Sequence, residues 1–308
     1  MSVSPDGHYE SRRAIAHFIL MSKSNPPFAA FRESPEEIDL AWRPLNPNHA
    51  IERAKVSLFF SQNVPDLVRN KARASFDARR AELGFGEGAL IQGAMISFQI
   101  GQPSPTGVQP GPVAGWQFAR SAGGPGLALE VLELSGAQLS YESSEYSRWN
   151  FFAERLQKVW GDLPGYLGEI VSRTATVVEY VDRFIYDGDP QDADVRSVLG
   201  DVVNQIPDQA ASGSRLWHVH RGWFEDLHGD DILVNINLGT QDGVLGPGRP
   251  RQRTLEGLTR VELRHGAGKS EMSKLYQDLY ELHQVANRTF AKALSHEGRE
   301  MIGIAEQE

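Results

Sequence analysis

Cysteine is missing from all 308 residues. Its absence excludes disulfides, thiolate metal sites and cysteine nucleophiles, and it suits a reducing compartment. No apolar run approaches the roughly 18 residues that a spanning helix needs, so no membrane segment is expected. An excess of positive charge is lacking too. Lys and Arg number 31 against 40 Asp and Glu, a net charge of −9, which disfavours unspecific attraction to nucleic acid or anionic membranes. Gly-x-Ser-x-Gly, the nucleophile elbow of many hydrolases, does not occur, and Ser212-Gly213-Ser214 lies in a loop without the strand-to-helix turn that motif requires. What is present, 40% hydrophobic and 23% charged residues, is the composition of an ordinary globular protein, long enough for one large domain or two packed lobes. A cytoplasmic location is expected, with no cofactor and no metal.

The most informative stretch runs from Gly115 to Leu163. Trp116 and Phe118 alternate on a strand, a Gly/Pro turn spans Gly123–Gly126, and Leu127, Leu129 and Val131 are expected on one face of the next strand with Glu130 on the other. Leu139 and Tyr141 repeat the alternation. From Trp149 the period lengthens to that of an α-helix, with Trp149, Phe152, Leu156 and Trp160 on one stripe. Hairpins therefore lead into a helix whose stripe must be buried across them. Each such side chain contributes roughly 1.5–3 kcal/mol on full burial.

Gly115-Trp116-Gln117-Phe118 followed by Tyr146-Ser147-Arg148-Trp149 resembles a G-W-x-F and Y-x-x-W pattern found in a sporadically distributed prokaryotic family of uncharacterised proteins. Three further segments fit that resemblance: Asn48-His49-Ala50-Ile51-Glu52 before the first strand, Tyr180-Val181-Asp182-Arg183-Phe184, and Leu282-His283 with Asn287 and Phe290. The resemblance covers residues 44–300 and implies architecture rather than chemistry, since the family carries no established activity. Its scattered occurrence implies an accessory gene, of the kind found in defence or toxin–antitoxin loci.

Read in order, residues 1–45 are an irregular lead-in. Arg12-Arg13 and the eight residues Ala14–Met21 faintly resemble an export signal but lack a small-residue cleavage site; a start at Met21 is the plainer expectation. A strand at Ala54–Phe60 precedes a helix from Asp66 to Leu83, with Leu67, Phe76 and Leu83 inward. A strand covers Ala94–Ile100, and the Gly/Pro-rich stretch Gly101–Gly115 is expected as a loop. Val171–Tyr186 is expected as the longest strand. Acidic residues Asp187–Asp194 form a loop, with Asp192 or Asp194 capping a short helix. Strands follow at Leu216–Phe224, Ile232–Leu238 and Leu258–His265. A long helix from Ser270 to about Gly298 carries Leu275, Leu279, Leu282, Ala286, Phe290 and Ala293 on one stripe. This order repeats once, with a division near 165–171. It points to an α+β protein of two pseudo-repeated halves, 46–168 and 169–308, each a curved antiparallel sheet packed on a long helix, together one unit.

Several residues bear chemistry. His218 and His220 share a strand face, as metal ligands would, with His228 and His265 as distant candidates for a third, but no carboxylate is spaced to complete a site. His265-Gly-Ala-Gly268-Lys269-Ser270 has only the tail of a phosphate loop, with Leu263 where the opening glycine belongs. Asp187, Asp189, Asp192 and Asp194 fail the calcium-loop pattern, which needs Gly at the position of Asp192 and Glu at that of Val198. His283 and Asn287 lie one helical turn apart and are expected to bond each other or a strand end. Arg183 is expected to pair with Glu179.

Locally the acidic balance reverses. From Arg249 to Lys274 seven cations face three Glu, and the first helix is also basic; a saddle-shaped sheet with such charge binds nucleic acid in other folds. The leading expectation is a non-enzymatic binding or regulatory protein with a protein partner, acting through a sheet face or groove. The alternatives are an enzyme on an anionic or phosphorylated small molecule, using His218, His220, Arg260 and Lys269, and a nucleic-acid-binding protein. Arg183, His283 and Asn287 complete the candidate binding residues.

Overall fold

In a computed structural model, residues 42–97, 107–122, 128–244, 251–266 and 272–304 are described. The lead-in before Trp42, with the export-signal and Met21 readings, lies outside them, as do Lys269 and Ser270 of the partial phosphate loop.

The strands are β1 (Trp42–Pro44), β2 (Ile51–Phe60), β3 (Ala89–Ser97), β4 (Gly107–Ser121), β5 (Ala128–Ser135), β6 (Gln138–Ser143), β7 (Arg173–Tyr186), β8 (His218–Leu227), β9 (Asp230–Val244) and β10 (Arg251–Arg264). They form one antiparallel sheet in the order β3-β4-β5-β6-β2-β7-β10-β9-β8, with β1 beside the end of β7. The helices are α1 (Asp66–Asp77), α2 (Trp149–Trp160), α3 (Leu163–Gly168), α4 (Asp208–Ala211), α5 (Leu275–Ala293) and α6 (His296–Met301). The described residues make one compact unit.

The sheet has two unlike faces because side chains alternate along each strand. Val56 on β2, Tyr141 on β6, Val178 on β7 and Val261 on β10 stand in register and share a core with Phe76 of α1, Leu156 and Trp160 of α2 and Leu279 and Leu282 of α5. The expected stripes of α2 and α5 are buried throughout. A second core joins Trp42, Phe184, Tyr186, Val195, Leu238 and Phe290. The other face mixes ion pairs with buried Val177, Val181 and Ile185 of β7: Arg53 and Lys55 reach Glu142 at 3.5 and 3.8 Å, and Arg260 reaches Glu179 at 3.6 Å.

Several expectations are corrected. Trp42–Pro44 is a strand, held because the Trp42 indole donates to the Asp194 carbonyl at 2.7 Å and packs on Tyr186. Helix α1 stops at Asp77, and its inward stripe is Val68, Ala72 and Phe76; Leu67 falls off that stripe and is 69% exposed. Residues 107–115 are strand rather than loop, paired with β3. Pro110 and Pro112 are tolerated because β5 joins only from Gly115 onward, leaving their other side unpaired. At 15 residues, β4 and β9 exceed the 14 of β7. The last helix is divided, α5 ending at Ala293 and α6 starting from the Ser295 side-chain cap.

Glu130 is the most instructive correction. The inward residues of β5 are Glu130, Leu132 and Leu134, so the carboxylate points into the core at 3% exposure. Leu132 and Leu134 fix the strand's phase through their partners Tyr141 and Leu139, and Glu130 follows. Arg155 of α2 grips it at 2.8 and 2.6 Å, Arg120 of β4 at 2.5 Å, and the Tyr141 hydroxyl donates to it at 2.6 Å. Burial by itself raises the carboxyl's pKa, but the donors from Arg155, Arg120 and Tyr141 outweigh burial and bring it down to about 2. The cluster ties α2 to the sheet.

Candidate functional site

The sheet brings the site together at its middle, where β2 and β7 meet. Asp182 and Tyr180 project inward from β7. Gly257 of β10 stands opposite Asp182 and Thr259 opposite Tyr180; on the other side Ile51 of β2 opposes Asp182. Glu52 is an extra residue in β2 at this point, a bulge between Ile51 and Arg53. Over these strands lie the first turn of α2, bringing Trp149 with Tyr146 just before it, and the middle of α5, bringing His283 and Asn287. A cavity of about 570 Å³ opens between them, lined also by Asn48, His49, Ala50, Ala286 and Phe290, with Arg148 and Glu300 among its exposed residues.

A chain of hydrogen bonds runs across the cavity wall. The Asn287 amide approaches His283 Nε2 at 3.4 Å, and His283 Nδ1 lies 2.9 Å from the Tyr180 hydroxyl. With Nε2 accepting, the imidazole proton sits on Nδ1 and is donated to Tyr180, whose hydroxyl meets that of Tyr146. The His283 ring stacks on Trp149. Burial lowers the His283 pKa to about 4 and raises both tyrosines, so the chain is neutral at physiological pH.

Asp182 stands apart from this chain. It is 3% exposed, and among the described residues its carboxyl makes no hydrogen bond and no ion pair. Burial pushes its pKa well above the usual carboxylate range. Two fully buried atoms on the same cavity wall, Thr259 Oγ1 and His49 Nδ1, meet no partner among the described residues. Buried polar groups are normally satisfied, which sets this wall apart from the rest of the core.

No family model matches this chain, and no curated protein matches it in sequence.

The candidate residues named from sequence divide between the two sheet faces. His283 and Asn287 line the cavity and bond each other as expected. Arg183 is turned to the opposite face, bonded to Glu52 and Glu256 at 2.8 Å each rather than to Glu179; the bulge brings Glu52 to it, and Glu179 instead faces Arg260. Arg260 lies on that same face, paired with Glu262 at 2.8 Å, beside a shallow hollow with Phe59 and His265. His218 and His220 stand on the same side of β8, where His220 bonds Asn237. His228 lies 3.7 Å from Glu281, and His265 bonds Thr176 at 3.0 Å. These histidines do not gather, and among the described residues no group of three or more His, Asp or Glu is placed to hold a metal ion.

The local basic stretches are largely spent within the fold. Arg253 pairs with Asp242, Arg264 with Glu262, Arg69 with Asp66 and Arg80 with Asp77. Arg79 donates to the carbonyls of Lys158, Val159 and Trp160 at 2.7, 2.7 and 2.9 Å, closing the C-terminal end of α2. Asp194 caps a short turn at Arg196, as expected. Among the described residues, no helix is long and apolar enough to cross a membrane.

Sequence reasoning missed Asp182 and His49 as site residues. The available signal was an acid at an inward position of a strand whose neighbours Tyr180 and Phe184 are apolar or aromatic.

Proposed function

We propose that this protein is a non-enzymatic binding protein whose ligand occupies the cavity over Tyr180 and Asp182, and that occupancy is passed to a protein partner. The observation that carries the reading is convergence. The segments around His49, Tyr146–Trp149, Tyr180–Asp182 and His283–Asn287 are far apart in the chain, yet all line one cavity. They are four of the five segments on which the resemblance to the prokaryotic family rests, Gly115–Phe118 lying elsewhere, and kinship with that family, with an accessory role such as defence or toxin–antitoxin regulation, is part of the proposal.

The two-halves reading belongs with it. In the sheet order, β4-β5-β6-β2 is followed by β7-β10-β9-β8. A pseudo-twofold through the β2–β7 boundary matches β2 with β7, β6 with β10, β5 with β9 and β4 with β8, and sets α2 against α5. The cavity then lies at the junction of the halves, where a ligand touches both and biases how they pack.

Binding is favoured over turnover by the titration of the lining groups. Acid–base catalysis works best with groups whose pKa lies near the working pH. His283 is moved down to about 4 and the tyrosines upward, which leaves Asp182 without a proton-exchanging partner.

A thermal-shift screen of the full chain against a small-molecule library tests this, repeated with Ser147→Trp, which obstructs the cavity from an exposed lining position. The expected result is a rise in Tm of about 5 °C or more with at least one compound, as roughly 1–2 kcal/mol of linkage produces in a chain this size, lost in Ser147→Trp. Shifts that persist in the blocked variant, or a library without effect, overturn the reading.

A further inference from the structure

We propose that the ligand of this cavity is an organic cation, a primary or quaternary amine attached to an apolar body, with Asp182 as its counter-ion and the rings of Tyr146 and Trp149 as its walls. The inference rests on the binding reading above and adds the chemical class.

Sign is the first consideration. Asp182 is the acid that reaches into the buried part of the cavity, and its carboxyl is unpaired among the described residues. A buried charge without a partner is costly, and a buried acid that keeps its proton still leaves hydrogen-bonding capacity unused. The adjacent cation, Arg183, is held on the other face of the sheet by Glu52 and Glu256, so the chain does not supply the missing charge from the next residue. An anionic ligand would have to approach this carboxyl directly. At the exposed positions Arg148 and Glu300 oppose each other in sign and do not decide the matter.

The walls agree. Aromatic faces carry negative potential and attract ammonium groups, most strongly where water is excluded. Trp149 is 9% exposed, Tyr146 9% and Tyr180 3%. His283, the basic group on the wall, is neutral because burial lowers its pKa to about 4, so it does not repel a cation. Gly257 lies opposite Asp182, and Phe290 and Leu238 fill the space its missing side chain leaves, at 3.0 and 3.2 Å from where a Cβ would stand. A volume of about 570 Å³ falls in the range that holds small organic ligands.

Binding carries a proton signature. Burial disfavours the Asp182 carboxylate and raises its pKa, whereas a bound ammonium favours the carboxylate, so cation entry is coupled to loss of the carboxyl proton to solvent and affinity grows with pH until the free carboxyl is ionised. The other shifted groups facing the site do not produce this trend: Tyr146 and Tyr180 are shifted upward from the phenol range, and His283 and His49 are shifted downward by burial.

The test is titration calorimetry on the full chain with tryptamine and choline as cations, and with indole-3-acetamide and indole-3-propionate as neutral and anionic counterparts of tryptamine. The expected result is binding of at least one amine, at least tenfold tighter than the neutral and anionic probes, with affinity rising as pH rises through the range where the free carboxyl titrates and proton release there seen as a buffer-dependent heat. Asp182→Asn, checked for an intact fold, should weaken the amine at least tenfold and leave the neutral probe unchanged. If that variant does not fold, proton release by the native chain decides alone. Equal or tighter binding of the neutral or anionic probe overturns the cation assignment while leaving a binding cavity in place. Failure of both amines to bind at millimolar concentration also overturns it, and the library screen then decides the binding reading separately.

Discussion

The rings of Trp149 and His283 lie nearly parallel, 5° apart in plane, with centroids 4.3 Å from each other. One belongs to the first turn of α2 and the other to the middle of α5, so this stack joins two helices directly above the β2–β7 boundary. Trp149 thereby covers one face of the imidazole while Tyr180 and Asn287 occupy its two nitrogens.

That environment predicts the titration of His283. Its folded pKa of about 4 lies below the ordinary imidazole value of 6.5, so the unfolded chain takes up the proton first. The stability this group contributes is present in full above pH 6.5 and is lost as pH falls toward 4, up to roughly 3 kcal/mol. NMR of the imidazole C–H signals should show His283 still neutral at pH 5, together with His265, which burial also lowers to about 4, and His283→Phe should remove its own signal and that part of the acid sensitivity. A His283 midpoint near 6.5 would contradict the buried stack.

Asp182 has the opposite sign. Its folded pKa is raised, so the stability linked to it is present below the ordinary carboxylate range and is lost as pH rises through the raised value. Asp182→Asn should therefore stabilise the protein at pH 8, by about 1–3 kcal/mol, and have little effect at pH 4. Urea unfolding at the two pH values measures this. Equal effects at both would mean that the carboxyl is solvated or paired.

The Glu130 cluster should behave as a structural clamp. Removing one partner of a buried ion pair costs about 3–5 kcal/mol because the other charges are left unmatched. Glu130→Ala is expected to lower stability by that amount, and Arg155→Ala by less, since Arg120 and Tyr141 remain. Because the Glu130 pKa is depressed to about 2, its contribution holds above the ordinary glutamate value near 4.5 and fades only as pH falls toward 2. Denaturant titrations of both variants at neutral pH give the ranking; a loss below about 1 kcal/mol for Glu130→Ala would argue against a buried clamp.

Gly161 and Arg79 define the end of α2. Gly161 has φ +51°, and a Cβ there would meet the Arg79 guanidinium at 2.9 Å. Gly161→Ala is expected to cost at least about 1 kcal/mol from the left-handed backbone alone, and Arg79→Ala about 1.5–3 kcal/mol from lost charged hydrogen bonds. The double variant should be less than additive, because each change already frees the same carbonyls. Full additivity would show that the two act apart.

Much of the secondary structure was legible. The Trp149–Trp160 and Leu275–Ala293 stripes follow from the 3.6-residue period, and both are buried as expected. Period alone failed where pairing on one side only allowed prolines into a strand, as at Pro110 and Pro112. It failed again where the phase of β5 was set by Leu132 and Leu134, which carried Glu130 inward. Half of the site was legible too, since His283 and Asn287 stand at helical spacing. Asp182 was passed over because β7 is apolar on both faces, with Val177 and Val181 buried on one and Tyr180 and Phe184 on the other, so alternation does not tell which face the helices cover.

The local order of residues, by itself, determined where strands and helices form, that α2 and α5 each bury one face, and that cysteine chemistry is closed to this chain. Those outcomes depend on spacing within a dozen residues, which backbone geometry reads directly. Only the tertiary structure decided that His49, Tyr146, Asp182 and His283 line one cavity and that Arg183 and Arg260 lie on the opposite side of the sheet. The reason is that strand pairing across the β2–β7 boundary, with its bulge at Glu52, sets which alternate residues face the helices, and that register depends on partners far away in the chain.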